Sequence, residues 1–80
     1  MGLKVFLKED PESLTLLREL RGDDKTHGVR RVCDFAKLHP PTEGDLMDAE
    51  RWLTSCDDEH NREILRITIL RIFRRNLKGA

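Results

Sequence analysis

The sequence predicts a small all-α protein in which three short helices pack around a longer C-terminal helix. Three observations carry this. Helix-start signals stand at Asp10–Pro11 and at Thr42, the second with an acid three residues on. Apolar residues after Asp10 recur at the i, i+3, i+4 spacing of a helix face rather than alternating. The last segment, Arg62 to Lys78, contains neither glycine nor proline and is far longer than the ~5–6 residues of an ordinary strand.

The chain opens with GLKVFLK, where Leu3, Val5 and Leu7 alternate with Lys4 and Lys8 and only Phe6 breaks the pattern. This reads as an extended arm or short strand over residues 1–9. In DPESLTLLRELRG, Asp10 is a good N-cap, Pro11 suits the first helical position and Glu12 suits the positive end of the helix dipole. Leu14, Leu17 and Arg21 share one side, Leu16 and Leu20 widen the stripe, and Gly22 is the natural stop. A second helix starts between Asp23 and Thr26 and buries Val29, Val32, Cys33 and Ala36, with Phe35 beside them. It ends at His39–Pro40–Pro41, because a residue before proline is pushed out of helical geometry. Thr42 opens the third helix, whose stripe is Leu46, Ala49, Leu53 and Cys56 with Trp52 alongside.

Asp57 or Asp58 caps the fourth segment, which admits two readings. Ile64, Ile67, Ile69 and Ile72 have high strand propensity. A second arrangement is therefore an α+β fold with strands near 2–8 and 64–73. The acidic cap, the length and the absence of glycine before Gly79 decide for a helix. On a wheel of roughly 100° per residue, Leu65, Ile69, Ile72, Phe73 and Leu77 form one broad apolar stripe, with Arg71, Arg74, Arg75 and Lys78 on the other side. Three short helices cover only part of such a segment. The stripe is thus expected to bury against another protein chain, most simply in a homodimer.

The 80 residues form one domain with no repeat, linker or low-complexity tract. Two cysteines are too few for a disulfide framework, Met1–Asp10 carries no secretory pattern, and no apolar run spans a bilayer. The expected setting is intracellular, cytoplasmic and reducing, with no membrane partner. Formal charge is zero but unevenly placed: Thr42–His60 holds seven acids and one base, Asn61–Ala80 six bases and one acid. The simplest reading is one solvated face neutralising the other.

No glycine-rich phosphate loop is present, so no cofactor is expected. Cys56, Asp57, Asp58 and His60 supply the residue types of a nucleophilic site, yet crowded at a helix junction they read as capping residues, and no catalytic residue is assigned. Cys33, His39, Cys56 and His60 are weak metal candidates, because their C-x5-H and C-x3-H spacings match no specific zinc pattern. The function expected is a non-enzymatic interaction module, a small regulator or adaptor. The alternative is a dimeric double-stranded RNA- or DNA-binding protein that contacts phosphates with Arg30, Arg31, Arg71, Arg74, Arg75 and Lys78.

Overall fold

A computed structural model describes residues 2–78 and shows, among them, five helices and no strand: α1 (Leu3–Glu9), α2 (Pro11–Arg18), α3 (Asp24–Ala36), α4 (Glu43–Thr54) and α5 (Glu59–Lys78). Met1, Gly79 and Ala80 lie outside the described residues. So, with Met1, does the first residue of the expected arm. The all-α bundle is the observed fold, and the α+β alternative is set aside because residues 64–73 lie wholly within α5.

The expected arm is a helix, which makes four short helices rather than three. Leu3, Phe6 and Leu7 stand at i, i+3 and i+4, and Phe6 is buried while Leu3 and Leu7 pack against the core. Val5, which suggested alternation, is 47% exposed. Phe6 therefore sets the pattern instead of breaking it.

Asp10 ends α1 and begins α2. Its carboxylate accepts from the Ser13 backbone N–H (3.4 Å) and hydroxyl (2.9 Å), while Pro11 takes the first turn, where no N–H is needed. The helix stops at Arg18, earlier than the stripe implied. Leu20 is still buried, but Arg21 turns outward to pair with Asp58. Gly22 has φ +69°, the left-handed conformation that a residue with a Cβ adopts only under strain. At α4 the capping box is complete: Thr42 Oγ1 accepts from the Asp45 N–H (3.1 Å) and Asp45 Oδ2 from the Thr42 N–H (2.8 Å). Asp58 caps α5 by accepting from the Asn61 N–H at 3.2 Å.

α5 is the centre of the molecule. α2, α3 and α4 pack directly on it, and α1 lies against α2 and α3. Leu65, Ile69 and Ile72 are at most 1% exposed and join Val32, Phe35, Ala36, Ala49 and Leu53 in the core. Gly28 marks the close approach of α3 to α5, since a Cβ there would lie 2.9 Å from both terminal carbons of Leu65. Two buried asparagines finish the contact. Asn61, at the start of α5, accepts from the Arg21 N–H (3.1 Å) and donates to the Arg21 carbonyl (2.7 Å). Asn76, near the end of α5, donates to the carbonyls of Ala36 (3.0 Å) and Leu38 (2.9 Å), the last residue of α3 and the second residue beyond it. α3 and α5 therefore run parallel, and α2 runs antiparallel to α5, with Arg21 at Asn61 and Asp10 at Arg71.

Candidate functional site

The expected contact stripe on α5 is mostly interior. Leu65, Ile69 and Ile72 have no exposed surface to offer a partner, and Phe73 is half-buried against the same core. Of the five residues only Leu77 faces outward, at 50% exposure. Four short helices, rather than three, supply the cover that seemed missing. The reading of this stripe as a dimer seam is corrected accordingly.

The arginines also divide. Arg71 makes a fork to Asp10, with Nε donating to Oδ2 (2.7 Å) and Nη2 to Oδ1 (2.8 Å), and Nη2 reaches Glu12 at 3.1 Å. Arg75 pairs with Glu9. The Arg71 hydrogen bonds hold the Asp10 carboxyl below the usual carboxylate range, helped by Ser13, and Asp10 in turn raises the pKa of the guanidinium. Within the basic block, Arg71 and Arg75 thus pair with acids of the α1–α2 junction, and among the described residues only Arg62 reaches the acidic Thr42–His60 block, at Glu59 (3.9 Å). Arg74 and Lys78 make no ion pair among the described residues.

These side chains line an open groove of about 970 Å³ between α1, the turn after α3 and the C-terminal half of α5. Arg71, Arg74, Arg75 and Lys78 face it with Glu9, Asp10 and His39. Four cations against two carboxylates leave it basic. Two of the cations are held in place by their partners, and the other two are available to a ligand.

Arg30 and Arg31 do not extend this groove. They line a second one, of about 500 Å³, with Asp24, His27, Trp52 and Cys56, where Arg31 sits 5.4 Å from the Trp52 ring centroid. The six residues expected to contact phosphates therefore occupy two separate concavities.

The weak metal candidates do not converge. His39 lines the first groove, Cys56 the second, and His60 Nε2 lies 3.1 Å from the Glu19 carbonyl. No three His, Cys, Asp or Glu side chains gather in metal-holding geometry among the described residues. Nor is Cys56 activated: burial pushes its thiol pKa up, with Asp24 adding to the rise. Asp58 is held below its ordinary value by the hydrogen bond from Arg21, in keeping with a cap rather than a base.

The acidic side of the molecule is the outward face of α4. Met47 is 56% exposed there, with Glu43 and Glu50 four and three residues away on the same face. Neither glutamate makes an ion pair among the described residues, and Asp48 is taken by Arg51 at 3.3 Å. Sequence reasoning found this acidic run but not its pairing with an exposed methionine. A 4–3 spacing of Glu43, Met47 and Glu50, out of phase with the stripe of Leu46, Ala49 and Leu53, was the available signal.

No helix among the described residues is long and apolar enough to cross a membrane. Neither the protein-family models, the curated proteins nor the solved structures compared with this chain yield a match.

Proposed function

We propose that this chain is a non-enzymatic interaction module that docks an acidic protein surface in the groove between α1 and the C-terminal half of α5. The observation that carries the reading is the pairing pattern of four neighbouring cations. Arg71 and Arg75 are fixed by Asp10, Glu12 and Glu9, while Arg74 and Lys78 pair with no acid among the described residues. Fixed guanidinium groups lose little freedom on binding, and two uncompensated charges set the sign of the partner.

Duplex nucleic acid is the second reading, favoured by the same two free cations. It is the weaker one. Arg30 and Arg31, which a long phosphate backbone would need, lie in a different groove. A backbone-binding protein gains affinity by neutralising many phosphates, about 6–10 for strong salt dependence, and this groove does not hold that many cations.

The test is fluorescence anisotropy with a labelled oligoglutamate peptide and with labelled duplex RNA and DNA, at about 50 and about 200 mM salt. Binding of the peptide should weaken with salt and fall at least about tenfold in Arg74→Glu/Lys78→Glu. Arg30→Glu/Arg31→Glu, which changes net charge equally, should leave it unaltered. Tighter binding of either duplex would turn the reading to nucleic acid, and no peptide binding at low salt would end it.

A further inference from the structure

We propose that the acidic partner of the basic groove is a second copy of this chain, whose α4 face docks there head to tail. The inference rests on the reading of the groove as a site for acidic protein surface and names the occupant.

Two complementary surfaces stand on one molecule without meeting. At the end of α5, Leu77 is 50% exposed, preceded by Arg74 and followed by Lys78. On α4, Met47 is 56% exposed, flanked by Glu43 and Glu50. Each patch sets a large exposed apolar side chain beside two like charges, with the charges opposite in sign, and of the α5 patch Arg74 and Lys78 line the groove. Only three large apolar side chains are exposed among the described residues, and these patches hold two of them. None of the four charges makes an ion pair among the described residues, so each surface arrives at a contact uncompensated by them.

The chemistry of such a contact follows from its parts. Met47 is unbranched and adapts to the shape it meets, so it packs on Leu77 without a preformed pocket. The stems of Arg74 and Lys78 lie along that apolar contact while their charged ends reach Glu43 and Glu50 of the neighbour. Opposite charges at the rim select the partner and orient it, and the apolar pair excludes water between them. The two patches differ, so the contact is heterologous: each copy keeps one patch free, and copies add on in open chains or close into rings.

Asymmetry of this kind allows a complementation test. Arg74→Gln/Lys78→Gln removes the basic patch and keeps the acidic one; Glu43→Gln/Glu50→Gln does the reverse. Every residue changed is away from the core, and circular dichroism melts identify a variant that fails to fold. In that event Arg74→Ala/Lys78→Ala and Glu43→Ala/Glu50→Ala take its place. By sedimentation velocity, wild type should show a mass that grows with concentration from the single-chain 9.4 kDa. Each variant alone should remain a single chain, because neither holds a complementary pair. The acidic-patch and basic-patch variants, mixed in equal amounts, should form a one-to-one complex of two chains and stop there, each end being blocked.

A mixture that stays monomeric overturns the proposal, as does either variant associating with itself as well as wild type does. Oligoglutamate binding in the groove by a chain that remains monomeric refutes the second copy and leaves the interaction module standing. Loss of both removes the module as well.

Discussion

Replacing Asp10 tests the most connected polar group in the fold. Its carboxylate is the N-cap of α2 and also receives the Arg71 fork, and its side chain is 14% exposed against 36% for Arg71. Loss of an N-cap costs about 1 kcal/mol, and loss of charge-assisted bonds at a partly exposed site about 1–2 more. Asp10→Ala should therefore destabilise the chain by about 2–3 kcal/mol, a drop in Tm on the order of 10–20 °C for a domain of this size. Asp10→Asn separates the two roles. Asparagine still caps a helix but carries no charge, so it should cost only about 1 kcal/mol. The sign with pH follows from the direction of the shift. The native carboxyl is held below its ordinary pKa, so its contribution is complete above the unfolded value of about 3.9 and is lost as pH falls through the lower native value. Urea melts of wild type and Asp10→Asn should accordingly differ by a constant amount from about pH 7 to pH 5 and converge in strong acid. A gap that persists unchanged into strong acid, or an Asp10→Ala variant within about 0.5 kcal/mol of wild type, would refute the reasoning.

Other changes probe the packing around α5. Gly28→Ala places a methyl 2.9 Å from two carbons of a fully buried leucine, so overpacking should exceed the helix-propensity gain and leave a net loss of about 1–2 kcal/mol in urea melts. Shortening Leu65 to valine in that background should recover part of the loss, a non-additivity that a simple sum of single variants would contradict. Asn61→Ala strips the Arg21 peptide groups of their partners and should cost about 2–3 kcal/mol, read as a lower denaturation midpoint with an unchanged slope. Alkylation of Cys56 by iodoacetamide should be slower in the native chain than in urea and should speed up in Asp24→Asn, which removes the nearby acid. Equal rates in all three would show that burial and Asp24 do not govern the thiol.

The local signals in the sequence were readable because they are local. Asp10 with Pro11 and Thr42 with Asp45 each act within a few residues and stand where the sequence indicates, whereas α2 ends at Arg18, before the glycine expected to stop it. The length of the last segment overrode its strand-like isoleucines, since one face of a 20-residue helix offers β-branched residues the burial that strand propensity measures. α1 was misread because seven residues satisfy two periods at once, and only packing tells that Phe6 points inward and Val5 outward. The α5 stripe was legible as apolar but not as interior, for a wheel shows which residues need cover and not which chain supplies it. Arg71 and Arg75 were grouped correctly with Arg74 and Lys78, yet their acids lie about sixty residues away in the chain, a separation no periodicity reveals.

Asn61 and Asn76 have a consequence for how the bundle tolerates change. The two amides are fifteen residues apart on α5, about 22 Å of helix, and they hold the turn before α3 at one end and the end of α3 at the other. Apolar contacts between parallel helices are forgiving, because sliding one helix by a turn of about 5.4 Å brings another set of aliphatic side chains into the same grooves. Amides are not forgiving. The same slip would carry both away from their carbonyls together and leave buried polar groups unpaired at both ends. They therefore act as a vernier with two marks, admitting one alignment of α3 on α5 and rejecting its neighbours. That alignment is what brings the end of α5, with Arg74, Arg75 and Lys78, beside the turn that carries His39.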